Sequence, residues 1–209
     1  MGNSFHTNPI NIRQIVLASS SPRRRELVAS LGLSLPVLIL STNADEETPA
    51  DWSPSYVVEQ LALRKANAAI EQLQGEHASN SVIIGADTIV VLDGQILGKP
   101  ADAADAVSML TALQGREHEV YTGVATIGTA DMHTIVRHRM TRVSMKPMNQ
   151  WQIERYVATG EPMDKAGSYA IQGIGATNVD KIAGCYFNVV GLSLSLLADM
   201  LGEYGITPY

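Results

Sequence analysis

Residues 82–92 read Val-Ile-Ile-Gly-Ala-Asp-Thr-Ile-Val-Val-Leu, and this stretch sets the core of the fold. Its run of β-branched and aliphatic residues predicts a strand that is buried on both faces. Asp87 interrupts the run, and burying an ionised carboxylate is costly unless it meets a cation or strong donors. The sequence therefore predicts a metal ion or a lysine beside Asp87. The alternative is a strand-end Asp beside a bulge at Gly85, where a glycine would also let a ligand approach the backbone.

The segments around this strand alternate between extended and helical patterns. The predicted strands are Ile12–Ala18, Leu35–Ser41, Gln95–Leu97, Val120–Gly128 and Thr134–Met145, the last two forming a hairpin that turns near Ala130-Asp131. The predicted helices are Ser21–Gly32, Ser53–Leu73, Asp102–Leu113, Gln150–Thr159 and Leu192–Leu201. Parallel-type and hairpin-type connections in one chain imply an α/β fold with a mixed sheet.

Residues 17–27, Leu-Ala-Ser-Ser-Ser-Pro-Arg-Arg-Arg-Glu-Leu, join the first strand to the first helix. Ser21-Pro22 is a typical helix start, and a helix N-terminus with free N–H groups attracts anions. The candidate phosphate-binding side chains are Ser19, Ser21, Arg23 and Arg24. The competing interpretation is a capped surface helix with solvated arginines, and the residues alone do not separate the two.

Other candidate residues lie at junctions between predicted elements. Lys65, Lys99 and Lys165 are placed where a pocket could form, although a lone lysine is usually solvated surface. The acidic loop Asp45-Glu46-Glu47 is usually a solvated loop as well. Since Mg²⁺ is held by one or two carboxylates together with phosphates and water, Glu46 and Asp87 could supply such a pair.

Composition limits the function classes. The chain has 209 residues, of which 45% are hydrophobic, a net charge of -6 and a single cysteine, Cys185. These features predict one domain over residues 12–209 behind an extension at residues 1–11, without an intramolecular disulfide, and we expect a cytoplasmic protein. The negative charge disfavours nucleic acid polymers and anionic membranes as partners and favours a small polyanion.

Hydrolases with a serine or cysteine nucleophile are disfavoured, because the chain has no Gly-x-Ser-x-Gly elbow and Cys185 has the pattern of a core residue. The five histidines show no metalloprotease spacing, and there is no Walker sequence.

Eight short motifs occur in a characteristic order after Asn11. They are Leu17-Ala-Ser-Ser-Ser-Pro-Arg-Arg24, Asp45-Glu46, Leu61-Ala-Leu-Arg-Lys-Ala66, Gly85-Ala-Asp-Thr88, Gly98-Lys-Pro100, Tyr121-Thr-Gly123, Asp164-Lys-Ala-Gly-Ser-Tyr-Ala-Ile-Gln-Gly173 and Asn188-Val-Val-Gly-Leu192. With them the chain resembles the Maf (septum formation inhibitor) family of nucleotide pyrophosphatases. The departures are mild: a third arginine, Arg25, and about ten residues before the first strand.

The resemblance implies hydrolysis of a nucleoside triphosphate between its α- and β-phosphates with Mg²⁺ or Mn²⁺. The implied fold is an elongated mixed sheet flanked by helices, with a central cleft, as in Maf and inosine-triphosphatase-like proteins. Asp87 becomes the proposed proton acceptor and, with Glu46, a metal ligand. Lys65 and Lys99 would assist catalysis, and Lys165 would bind substrate. Related proteins are commonly dimers, so a homodimer is one option for this chain.

The resemblance also bears on the base. Arg23, Thr88 and Gln172 match the positions that set base preference, and the pattern Ala86-Asp-Thr88 with Ile171-Gln-Gly173 resembles the branch acting on dTTP and UTP. Two alternatives stay open. One is the same reaction on 7-methyl-GTP or another modified nucleotide, and the other is a non-catalytic nucleotide-binding regulator of septum formation.

Overall fold

A mixed sheet of seven strands organises the chain in the computed structural model, which describes residues 12–75 and 79–208. The strands are β1 (Gln14–Ala18), β2 (Val37–Leu40), β3 (Ser81–Leu92), β4 (Gln95–Leu97), β5 (Glu117–Gly128), β6 (Thr134–Met145) and β7 (Val179–Ala183). The helices are α1 (Pro22–Ala29), α2 (Pro54–Gln72), α3 (Ala103–Leu113), α4 (Gln150–Ala158), α5 (Tyr186–Val190) and α6 (Leu194–Gly202). The predicted α/β fold with a mixed, helix-flanked sheet is confirmed.

The predicted extension at residues 1–11 lies outside the described residues. Within those residues, no helix is both long enough and apolar enough to span a membrane.

The long central strand β3 has two different partners along one edge. β1 runs parallel to its first half, with pairing that ends at Ala18 opposite Gly85. β4 runs antiparallel to its second half, with pairing that begins at Leu97 opposite Val90. The carboxyl ends of β1 and β4 therefore point toward each other across residues 86–89 of β3. The other edge of β3 pairs with β5 along nearly its full length.

Alternate residues of β3 face two different helical layers. Val82, Ile84 and Ala86 pack in one cluster with residues of α1 and α6, whereas Ile83 packs with the alanines of α2 on the opposite face. This alternation follows from the two-residue period of a strand. Both faces are covered, which is why residues 82–92 read as a nearly continuous apolar run.

Two glycines let α2 approach the sheet closely. A Cβ atom on Gly85 would collide with the backbone carbonyl of Ala62, and one on Gly123 would collide with the carbonyl of Val58. The pairing of β3 is continuous through Gly85. The alternative of a strand-end Asp beside a bulge is therefore wrong, and the backbone that approaches Gly85 is that of α2.

One strand and one α-helix were absent from the sequence prediction. β7 is a short strand at the sheet edge, and its sequence Val-Asp-Lys-Ile-Ala lacks a hydrophobic run. α5, Tyr-Phe-Asn-Val-Val, consists mostly of strand-forming residues. Tertiary contacts override that preference, because the buried Asn188 side chain donates to Val120 O at 3.0 Å and to Thr141 Oγ1 at 3.1 Å.

We predict that Gly85→Ala destabilises the protein by about 2 kcal/mol or more, because α2 and β3 must separate to admit the methyl group. Urea unfolding measures the effect. The control is Gly202→Ala at the end of α6, where a Cβ would meet nothing within 4 Å. That variant should be neutral or slightly stabilising. Equal changes in the free energy of unfolding of the two variants would show that α2 does not pack against Gly85.

Candidate active site

A cleft of about 590 Å³ opens where β1 and β4 stop short of each other along β3. The segments that leave their two carboxyl ends, Ser19–Arg24 and Gly98-Lys99, form facing parts of its lining. The structure brings every candidate site residue to this cleft: Ser19, Ser21, Arg23, Arg24, Glu46, Lys65, Asp87, Thr88, Lys99, Lys165 and Gln172. Residues far apart in sequence therefore share one site.

The charge of the cleft is opposite to that of the chain. Five cationic side chains line it, namely Arg23, Arg24, Lys65, Lys99 and Lys165, against three carboxylates, Glu46, Asp87 and Asp164. The cleft thus carries two net positive charges in a protein whose net charge is -6. A concentrated positive field of this size suits a small polyanion.

Lys65 lies at the centre of this arrangement. Its Nζ atom is 2.6 Å from Asp87 Oδ1 and 2.6 Å from Glu46 Oε1. The side chains of Lys65 and Asp87 are only 14% and 11% exposed, whereas that of Glu46 is 60% exposed. The hydrogen bond from Lys65 lowers the pKa of Glu46. Of the two predicted partners for Asp87, a metal or a lysine, the structure supplies the lysine.

Asp87 and Lys65 meet because of the close packing of α2. Asp87 lies two residues after Gly85 on the face of β3 that α2 covers, and it pairs in register with Gly123 of β5. The glycines therefore bring Lys65 of α2 within reach of a carboxylate in the middle of the sheet. Thr88, as the next residue, faces the opposite layer.

A residue that sequence reasoning missed, Arg64, holds the loop that carries Glu46. Its Nη1 atom donates to the backbone carbonyls of Glu47 at 2.7 Å and Asp45 at 3.2 Å, one on each side of Glu46. The guanidinium also lies 5.7 Å from the ring centre of Trp52. Arg64 thus fixes the backbone on both sides of Glu46, and the adjacent Lys65 contacts the Glu46 side chain. Its position beside Lys65 was the only signal in the sequence.

The Ser-Pro-Arg segment is both a helix cap and a wall of the cleft. Ser21 caps α1 by accepting a hydrogen bond from the Arg24 N–H at 3.4 Å, and Ser19 Oγ accepts from the Ser21 N–H at 3.2 Å. The two hydroxyls thus organise their own loop. Arg23 and Arg24 line the cleft, whereas Arg25 is exposed. The segment therefore contains a helix cap and also places the guanidinium groups of Arg23 and Arg24 in the cleft, so the two interpretations do not exclude each other.

Arg24 is anchored by its neighbours in the opposite layer. Its Nε atom donates to Gly191 O at 2.8 Å, and its Nη2 atom donates to Thr88 Oγ1 at 3.0 Å. Thr88 is in turn 2.9 Å from Thr122 Oγ1, which donates to Asn188 O. Desolvation by burial lowers the pKa of Arg24, and attraction to Asp87 opposes this. Arginine remains charged at neutral pH.

Asp164 connects the segment that carries Lys165 to helix α1. Its carboxylate lies 3.4 Å from Arg23 Nη1 and 2.6 Å from Lys165 Nζ. Gln172 is exposed at the cleft, just before a 3₁₀ turn at Gly173–Asn178. Lys99 is exposed two residues after the end of β4 and contributes, after Lys65, to lowering the pKa of Glu46.

The donor set fits a divalent cation that is shared with substrate. Within the described residues there is no cluster of three or more His, Cys, Asp or Glu residues that could hold a metal by itself. Lys65 contacts Oε1 of Glu46 and Oδ1 of Asp87, which leaves the second oxygen of each carboxylate for a cation beside the ammonium. Mg²⁺ commonly uses such a pair together with phosphate oxygens. A divalent ion would also raise the cleft charge to match the roughly four negative charges of a triphosphate.

This chain is similar to known proteins. A family model described as "Maf-like protein" matches residues 14–204. A protein named dTTP/UTP pyrophosphatase from Pelotomaculum thermopropionicum is 50% identical over 194 residues, which cover 93% of this chain and 98% of that protein. One of the same name from Desulforamulus reducens is 49% identical over 196 residues, with 93% and 98% coverage. The solved Staphylococcus aureus Ham1 protein is 17% identical, with 79% of each chain covered and a TM-score of 0.49.

A buried histidine supports the floor of the cleft. His118 on β5 is 2% exposed, and its Nε2 atom lies 2.8 Å from the hydroxyl of Tyr169, a cleft residue. Its Nδ1 atom is buried without a hydrogen-bond partner among the described residues. Burial lowers the pKa of His118 from 6.5 to about 4. The imidazole is therefore neutral in the folded protein at neutral pH.

This histidine predicts an acid-sensitive stability. Below pH 6.5 the unfolded chain binds a proton at His118, whereas the folded protein does so only near pH 4. As the pH is lowered from 6.5 to about 4, the free energy of unfolding should therefore fall by up to about 1.4 kcal/mol per pH unit. Urea unfolding of wild type and His118→Gln at several pH values measures this. The free energy of unfolding should decline less steeply with falling pH in His118→Gln than in wild type. Parallel declines would contradict the lowered pKa of His118.

Proposed function

The chain belongs to the Maf family, and on this premise we propose that it hydrolyses dTTP and UTP to the nucleoside monophosphate and pyrophosphate. The observation that carries the proposal is the buried Asp87 carboxylate, held by Lys65 inside a cleft rich in cations. A buried carboxylate beside a phosphate site suits the activation of water better than simple binding. The relatives named dTTP/UTP pyrophosphatase support the choice of substrate.

The phosphate chain would lie against the cationic side chains of the cleft. Arg24 offers a guanidinium whose orientation is fixed by Thr88 and Gly191. Arg23 and Lys165 share Asp164 and could exchange that contact for phosphate oxygens. Lys99, which follows β4, lies across the cleft from the segment that follows β1. Such charges stabilise the transition state electrostatically, without a covalent intermediate.

Asp87 is the proposed proton acceptor. Water attacks phosphorus in the anhydride that links the α- and β-phosphates, and its proton passes to the Asp87 carboxylate. The bond from the attacked phosphorus to the bridging oxygen breaks, and the bridging oxygen leaves with the bonding electrons on the other fragment, so that monophosphate and pyrophosphate separate. Lys65 orients the carboxylate through its hydrogen bond, and it offers a positive charge close to the reacting phosphates.

Glu46 and Asp87 are the residues that would hold the divalent cation, Mg²⁺ or Mn²⁺. The ion would supply neutralising charge at the phosphate oxygens. The chain's own contribution is the placement of the ligands. Arg64 fixes the Glu46 loop through the carbonyls of Asp45 and Glu47, and Lys65 separates two carboxylates that would otherwise repel each other.

Base preference is assigned to Gln172, with Arg23 and Thr88 in support. The Gln172 amide can donate to a carbonyl of uracil or thymine and accept from the ring N–H, a pairing that cytosine cannot satisfy in the same way. The Thr88 hydroxyl is already bonded to Arg24 and Thr122, so its influence on the base would pass through the position of Arg24.

We predict pyrophosphate release from dTTP and UTP in preference to CTP, purine triphosphates and 7-methyl-GTP, measured with Mg²⁺ and with Mn²⁺. Asp87→Asn should lower kcat by about 100-fold or more while nucleotide affinity is kept. The control is Asp93→Asn, an exposed aspartate paired with Arg116 outside the cleft lining.

Other outcomes of this assay have definite meanings. A preference for 7-methyl-GTP would place the chain in the sister branch of the family. Nucleotide binding without turnover would indicate a regulator. Unchanged kcat in Asp87→Asn would remove Asp87 from the role of base.

A further inference from the structure

Glu161 lies outside the cleft lining, yet it contacts the two segments that carry Gln172 and Lys165. It begins the 3₁₀ turn Glu161–Asp164, which follows α4. Its side chain contacts the turn that follows Gln172, and its backbone carbonyl contacts Lys165.

The carboxylate of Glu161 accepts three hydrogen bonds. Oε1 accepts from the Ile174 N–H at 2.9 Å, and Oε2 accepts from the Gly175 N–H at 2.8 Å and from the Tyr156 hydroxyl at 2.7 Å. Burial alone raises the pKa of Glu161, but these donors outweigh it and the net shift is downward. The turn that directly follows Gln172 is therefore fastened to an ionised carboxylate.

Two glycines allow this turn to close on its anchor. Gly173 has φ +65°, and a Cβ there would collide with Glu161 Oε1. A Cβ on Gly175 would collide with the Tyr156 hydroxyl. Gly173 thus leaves room for the Glu161 carboxylate, and Gly175 leaves room for the Tyr156 hydroxyl that donates to it.

The backbone carbonyl of Glu161 contacts the phosphate side of the cleft. It accepts a hydrogen bond from Lys165 Nζ at 2.6 Å. This contact does not involve the Glu161 side chain. A side-chain substitution at position 161 therefore releases the Gln172 turn while the Lys165 contact can remain.

We propose that Glu161 is a positioning residue that sets base discrimination by fixing the turn after Gln172. The inference rests on the proposed function, since it assumes that Gln172 reads uracil or thymine. Glu161 does not contact the base itself. Its effect is to restrict Gln172 to one orientation, so that the amide is preorganised for one pattern of donors and acceptors.

Glutamine is the sharpest replacement for Glu161. Its shape is the same, but its single amide oxygen can accept at most two of the three hydrogen bonds, and its NH₂ group faces donors. At least one donor among Tyr156, Ile174 and Gly175 is then left without an acceptor. The turn should loosen while the main-chain contact to Lys165 is retained.

The test compares kcat and KM for UTP and CTP in wild type, Glu161→Gln and the control Glu154→Gln. Glu154 lies on α4, is exposed and pairs with Gln150, so the control removes the same charge away from the turn. We expect Glu161→Gln to lower the UTP-to-CTP ratio of kcat/KM by about tenfold, mainly through the KM for UTP. Inhibition by pyrophosphate, which has no base, should change less than about twofold. Glu154→Gln should match wild type.

The outcomes separate the inference from the function. If wild type prefers UTP and Glu161→Gln keeps the same ratio, the inference is wrong and the function stands. Equal weakening of UTP, CTP and pyrophosphate would also overturn it, because that pattern indicates general damage to the cleft. Wild type without any preference for UTP would overturn both. Should Glu161→Gln fail to fold, Tyr156→Phe removes one of the three donors and should lower the ratio by a smaller factor.

Discussion

The contact between the Lys65 ammonium and the Asp87 carboxylate is the interaction on which the site depends. Asp87 lies in the most buried strand of the sheet, where an uncompensated charge would be strongly destabilising. Lys65 removes that penalty and also binds Glu46, so one cation gathers both carboxylates. The contact requires α2 to lie directly on the sheet, which Gly85 and Gly123 permit. A packing feature of the core thus determines the chemistry of the cleft.

The cleft itself is a consequence of strand pairing. One edge of β3 is shared by β1 and β4, and residues 86–89 lie between the two partners. Because the carboxyl ends of both strands point into this gap, the segments that follow them can bring charged groups from opposite sides. Asp87 and Thr88 then face different layers, so the α2 layer supplies Lys65 and the α1 layer supplies Arg24.

The sequence predicted the central strand and the need for a partner at Asp87 from burial alone, since a charge in an apolar run demands compensation. It did not predict which partner, because Lys65 lies on α2, 22 residues before Asp87 on β3, and is unremarkable in its own helix. Arg64 and Glu161 went unnoticed for a related reason. Both act on backbone groups of irregular loops, and such contacts leave no periodicity to detect. The helix α5 was missed because buried hydrogen bonds to Asn188 override local propensity.

A double-mutant cycle on Lys65 and Asp87 tests this account most directly. The free energy of unfolding is measured for wild type, Lys65→Met, Asp87→Asn and the double variant. The account predicts that Lys65→Met alone costs about 3 kcal/mol or more, because it leaves a buried charge unpaired. Adding Asp87→Asn should recover a large part of that loss, with a coupling of about 2 kcal/mol. Additive effects of the two substitutions would contradict it.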